Sequence, residues 1–228
     1  MLAGQKGYGA NGKQNFLFPL TDMYLTQGYG TGTYSHDGSY AMDFLGYYNG
    51  IHMSNAPYFA PFDCTCVAKW GSQQQRIVWT SDTEVNFIDG TVGIATIEFI
   101  HDDNAPNISV GDHCNQGDVI GHTGTYGPGQ ITGDHVHIEA KKGVYEGHHE
   151  NTYNVYMLTN SRPLTDLIGV NNTNILHTTY HGVTYVWNEF TVNDPEPPSF
   201  ELQRNTFPWY LISNRLRDRR ILTNKRKI

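Results

Sequence analysis

The run GDHVHIEA is the most chemically suggestive in the chain. On a β-strand, successive side chains alternate between faces, so His135, His137 and Glu139 share one face while Val136 and Ile138 take the other. Two imidazoles above an apolar floor are a metal-ligand arrangement, although hydrogen-bonded histidine pairs on a solvated strand share that spacing. A second cluster, YSHDGSYAMDF, supplies His36 and Asp43 with a Gly38-Ser39 turn between them. Imidazole and carboxylate suit zinc, and two His with one Asp give a singly positive centre with a fourth position open for water. The plainer alternative is an ordinary turn with a capping Asp. His101 closes the run IATIEFIH, where a strand meets the loop DDNAPN. A lone histidine there is more often structural than catalytic.

The remaining histidines, His52, His113, His122, His148, His149, His177 and His181, have no partner at a meaningful spacing and read as solvated surface residues. His122 is the first exception to consider, because it borders a long loop. Three cysteines are expected to be free thiols. Cys64 and Cys66 face the same way on a strand, which suits two small core residues; Cys64, Cys66, His113 and Cys114 as a second metal site lacks the Cys-x-x-Cys spacing that would support it.

The elements that must position these groups are strands. CTCVAKW, QRIVWTS, TEVNFID and VGIATIEFIH are rich in β-branched and aromatic residues, and Asp89-Gly90 between the last two signals a two-residue hairpin. Residues 117–121 and 134–140 read as two more strands around the loop HTGTYGPGQITG, whose glycines and Pro128 deny it regular structure. Long loops in compact domains tend to border binding sites. A short helix is expected to open near Pro163, and TTYHGVTYVWNEFTV a hairpin turning at His181-Gly182. DPEPP reads as a stiff linker leading to an aromatic and basic end.

The length of 228 residues suits one well-buried domain with a small appendage. With 24 Gly, 15 Tyr and only 16% charged residues, the composition is too aromatic for disorder and suits a β-rich globule. The net charge is −7; residues 215–228 hold seven basic side chains against Asp218, so this end carries +6 and the rest −13. An acidic body argues against nucleic acid as a partner. The opening MLAGQKGYGANGKQ has no apolar core and the most apolar stretch, residues 92–100, is too short to span a bilayer, so neither a signal peptide nor a membrane span is expected.

Six segments in order, TQGYG, SHDGSYAMD, YFAPFDCTCVA, FIH, VGDHCNQGDVIGHTGTYG and GDHVHIE, resemble the motifs of the lysostaphin-type or LytM-type zinc endopeptidases that cut peptidoglycan peptides. The resemblance covers residues 18–140, and phage-encoded members are especially similar. It implies a mostly β fold, an antiparallel peptidase sheet whose long loops form a groove, with a short C-terminal extension. It also implies Zn²⁺ held by His36, Asp43 and His137, with His101 and His135 flanking a catalytic water. Two features depart from the common pattern. His36 and Asp43 have six residues between them where three are usual, which requires a bulged loop and keeps Asp43 rather than Asp37 as the ligand. Asp63-Cys64 stands where Asp-Gly is usual, a change that bears on packing.

The resulting expectation is a zinc endopeptidase domain over residues 1–170, an additional β-hairpin over 171–193, and a linker with an aromatic and basic tail over 194–228. Its substrate would be bacterial peptidoglycan. Without a signal peptide, the protein would reach the wall as part of a phage virion tail, with tail proteins as partners of the C-terminal segment, or by release as an endolysin. A non-catalytic structural tail protein that keeps the fold is the alternative. A cupin-type metal enzyme also uses His-x-His on a strand, but there the Glu follows the second His by four or five residues, not by two as Glu139 does.

Overall fold

The computed structural model describes residues 1, 3–29, 35–70, 75–102, 107–127, 133–168, 176–177, 179–180 and 183–184. Its main sheet has eight strands: β1 (Tyr24–Gln27), β2 (Met42–Leu45), β3 (Cys64–Trp70), β4 (Arg76–Ser81), β5 (Ala95–Ile100), β6 (His113–Cys114), β7 (His135–Lys142) and β8 (Leu176–His177). They stand in the order β6-β3-β4-β5-β7-β2-β1-β8. Neighbours are antiparallel except β1 and β8, which pair in parallel.

The centre of the sheet is buried on both sides, and the period-two pattern of β7 decides what each side holds. Val136, Ile138 and Ala140 join a core with Phe16, Phe44, Trp79 and Phe99. Ring contacts lock this side: Phe16 meets Phe62 edge-on at 4.8 Å, and Tyr58 stacks on Phe99 at 4.5 Å. Burying each such large side chain contributes about 1.5–3 kcal/mol, so the apolar side fixes the register and the polar side inherits it. That register aligns Ile100 with His137 and His137 with Asp43, in one row across β5, β7 and β2.

Two-stranded ribbons flank the sheet. Pro57–Phe59 pairs with Val119–His122, His148–Glu150 with Tyr156–Leu158, and Tyr47–Tyr48 with Ile51–His52. Helix α1 (Leu164–Ile168) opens directly after Pro163 and buries Leu164, Leu167 and Ile168. Thr179–Tyr180 pairs with Val183–Thr184 across positions 181–182. Of the expected regions, residues 185–228, with the linker and tail, lie outside the described residues, as do 30–34 and 128–132 of the groove loops. No helix among the described residues is long and apolar enough to cross a membrane.

One turn differs from expectation. Asp89-Gly90 does reverse the chain, but between Val85–Asn86 and Val92–Gly93, with residues 87–91 forming a longer loop outside the ladder. The Phe87 N–H donates to the Thr91 carbonyl at 2.9 Å, Gly90 takes φ +82°, and the Asp89 carboxylate accepts the Thr91 N–H at 3.0 Å. The side-chain cap and the left-handed glycine accommodate the longer loop.

Cys64 and Cys66 lie in the core, and all three cysteines are free. His113 turns instead to Asp82 at 2.7 Å. The grouping of Cys64, Cys66, His113 and Cys114 as a metal site is therefore not formed.

Candidate metal centre

Three elements bring His36, Asp43 and His137 together. His36 comes from the turn before β2, Asp43 from the second residue of β2, and His137 from β7 beside it. One ligand atom from each lies within 4.8 Å of the others, and all three residues are buried. His36 Nε2 is 3.2 Å from Asp43 Oδ2, and His137 Nδ1 is 3.0 Å from Asp43 Oδ1. His36 Nε2 and Asp43 Oδ1 are nonetheless buried without a well-directed hydrogen bond. Buried polar atoms that approach closely without pointing at one another converge on a common point, as ligand atoms do.

The outer nitrogens are fixed. His36 donates its Nδ1–H to the Gly28 carbonyl at 3.1 Å, which leaves the Nε2 lone pair facing inward. His137 is turned the other way: its Nε2 is 3.2 Å from Glu139 Oε1, and Nδ1 faces inward. Such outer partners set the tautomer and orientation of ligating histidines. Asp37 points elsewhere, accepting a hydrogen bond from the Thr152 hydroxyl at 2.7 Å. The wide spacing between His36 and Asp43 is spanned by a turn in which Gly38 takes φ +75°.

The electrostatics favour a cation. Burial opposes ionisation of Asp43, but the adjacent imidazoles of His36, His135 and His137 outweigh it and hold the carboxyl well below its ordinary range. For His137, burial again opposes the charge, while Asp43 and Glu139 raise the imidazole to about 9. On this face of the sheet the buried carboxylates are Asp43, Glu98 and Glu139, the buried guanidinium is Arg76, and Lys141 pairs with Glu146. With His137 protonated one negative charge is left over, and with His137 neutral, as a ligand must be, two are left over, which a divalent cation offsets. Two imidazole nitrogens with one carboxylate are a donor set that zinc accepts, so the residues fit the ion.

His101 and His135 stand beside this trio with ring centroids 4.7 Å apart, and His101 is 6.1 Å from His137. Each donates Nδ1–H to a carbonyl at 2.8 Å, His101 to Tyr126 and His135 to Gly133, leaving both Nε2 atoms as acceptors. Burial and the adjacent His135 and His137 lower His101 to about 3, so its ring is neutral at ordinary pH. His101 has φ +87°, a strained conformation for a non-glycine residue, held by Tyr126, which also donates its N–H to the His101 carbonyl at 3.2 Å.

The structure thus gathers all five histidine and aspartate residues singled out in the sequence. The other histidines divide. His52 and His149 are exposed, and His113 is half exposed beside Asp82. His122 contributes its backbone N–H to Asp102 at 2.9 Å and does not join the cluster. His148 is a correction: its side chain is 7% exposed and sits between Glu98 Oε1 at 2.9 Å and the Tyr145 hydroxyl at 3.0 Å. The outer role of Glu139 also went unread, although its place two residues after His137 on the same face was a usable signal.

No protein-family model matches the chain. Over 142 residues, 62% of this chain, it is 39% identical to Morphogenesis protein 1 of Bacillus phage B103. The chain covers 36% of that relative's length. Among solved structures, LytU aligns with a TM-score of 0.40 and 22% identity over 54% of this chain and 77% of LytU. The antimicrobial peptidase lysostaphin from Staphylococcus simulans aligns with a TM-score of 0.38 and 18% identity over 60% of this chain and 61% of lysostaphin. The chain is mostly antiparallel β and resembles LytU and lysostaphin.

Proposed function

We propose that this chain is a zinc-dependent endopeptidase that hydrolyses peptide bonds in bacterial peptidoglycan. The observation that carries the reading is the convergence of His36, Asp43 and His137 beside two further imidazoles whose inner nitrogens are free to accept. His36 Nε2, an Asp43 carboxylate oxygen and His137 Nδ1 would hold the ion, which when bound supplies the Lewis acidity that amide hydrolysis requires. His101 and His135 act on protons. One Nε2 accepts the proton of the attacking water; the imidazolium so formed hydrogen-bonds the oxygen on which charge develops and then returns the proton to the amine nitrogen as the C–N bond breaks. The carbonyls of Tyr126 and Gly133 keep both rings in the tautomer this work needs.

The phage relative supports a phage setting, in which the enzyme is carried on the virion tail and opens the wall during infection. The test is incubation of the purified protein with Gram-positive cell walls, with and without chelator, followed by mass spectrometry of released peptides. Newly exposed peptide termini that vanish with chelator and return with zinc are expected. A second reading, a structural tail protein that keeps the fold without catalysis, is favoured by the name Morphogenesis protein 1. Intact walls after incubation with the zinc-loaded protein would decide for it.

A further inference from the structure

Behind Glu139, the outer partner of His137, lies a further buried layer of charged side chains. Glu139 is fully buried, and its two oxygens face two donors: Oε1 is 3.2 Å from His137 Nε2, and Oε2 accepts the Leu158 N–H at 3.1 Å. Directly opposite on β5 stands Glu98, also fully buried. Two carboxylates facing one another across a ladder repel. Glu98 is compensated by Arg76, whose Nη1 lies 2.9 Å from Oε1 and 3.0 Å from Oε2, and by His148 at 2.9 Å. Burial raises the Glu98 carboxyl, but Arg76 first and His148 next bring it below its ordinary value. The Glu98 carboxylate can only accept, so His148 donates its Nε2–H to it, and Nδ1 of the neutral ring accepts from the Tyr145 hydroxyl. Arg76 also donates to the Tyr156 carbonyl at 2.8 Å.

We propose that Glu139 is a positioning residue, which turns His137 so that Nδ1 faces Asp43 and His36, and that the Arg76–Glu98–His148 cluster holds Glu139 in place. An imidazole can present either nitrogen, and the broad χ2 well of histidine lets the ring swing. The Glu139 carboxylate removes that freedom by accepting Nε2–H. Its second oxygen ties the same group to the ribbon strand Tyr156–Leu158, and His148 and Arg76 tie Glu98 to both strands of that ribbon. The ribbon and the metal ligand are thereby joined through side chains.

This rests on the metal-centre reading, and the experiment separates the two. Zinc affinity is measured by competition with a chromophoric chelator for the full-length wild type, Glu139→Gln, Glu139→Ala and His148→Phe. Visible spectra of the cobalt-loaded forms and circular dichroism of each chain are recorded alongside. Glu139→Ala is expected to lose about 10- to 100-fold in affinity with altered cobalt bands. Glu139→Gln should lose less, because an amide has one oxygen where two donors wait. His148→Phe should show a smaller loss than Glu139→Ala, with the same change in the bands. If the wild type binds zinc while folded Glu139→Gln and Glu139→Ala bind within twofold of it with unchanged spectra, the positioning role is overturned. Should Glu139→Ala not fold, an unchanged Glu139→Gln overturns it alone. A wild type that binds neither metal overturns the metal centre itself, and this proposal with it.

Discussion

At the scale of single residues, the proposed function divides the five site residues into three that would hold the ion and two that would work beside it, and substitutions should separate them. His137→Ala deletes the Nδ1 that approaches Asp43 and is expected to abolish stoichiometric zinc in elemental analysis. His101→Ala and His135→Ala leave His36, Asp43 and His137 untouched. Zinc should stay while wall digestion falls by about 10²- to 10⁴-fold, the usual contribution of a general acid or base. Zinc retained in His137→Ala would refute the ligand set, and near-normal digestion by either other variant would remove that histidine from the chemistry.

At the scale of elements, the ribbon of His148–Glu150 and Tyr156–Leu158 is pinned by charge. Arg76→Met leaves Glu98 buried without its cationic partner, with only His148 still donating to it, which costs about 3–5 kcal/mol. The pH dependence has a definite sign. Glu98 has a lowered folded pKa, so its contribution to stability is present above the unfolded value of ~4.3 and is lost as pH falls through the folded value. Removing Arg76 raises that folded value, so the stability gap between Arg76→Met and wild type should narrow as pH falls, as thermal melts at a series of pH values would show. A gap constant with pH would mean that Arg76 acts by packing alone. Gly46 is a second such point, because an added Cβ would meet the Asp134 carboxylate, the Thr123 hydroxyl and the Met53 carbonyl. Asp134 precedes His135, so Gly46→Ala is expected to cost about 1–3 kcal/mol and to slow digestion with zinc retained; unchanged melting and turnover would show that the loop yields freely. These elements also mark what was legible in advance. The alternation over residues 135–139 placed two imidazoles and Glu139 on one face, because strand period is a local property. The partners of Glu139 and His148 were not legible, since opposing Glu98 to Glu139 depends on register between strands far apart in sequence. The Asp89-Gly90 turn was placed correctly and sized wrongly, because its length was set by a side-chain cap.

At the scale of the whole molecule, the uneven charge of the chain gives the tail its prediction. A chain ending after Pro198 is expected to cleave small soluble peptides as the full chain does while losing salt-sensitive retention on walls or virions. Loss of zinc or of folding on truncation would make that segment part of the domain. The row that aligns Ile100, His137 and Asp43 also has a kinetic consequence. His36 and Asp43 are near neighbours along the chain, whereas His137 reaches them only once β7 has zipped between β5 and β2. Non-local pairings of this kind form late in folding, because loop closure must precede the contacts that reward it. If the proposed ligand set holds zinc, high-affinity uptake during refolding should therefore lag behind the gain of β-structure, and the ion would act as a clock for closure of the central strand.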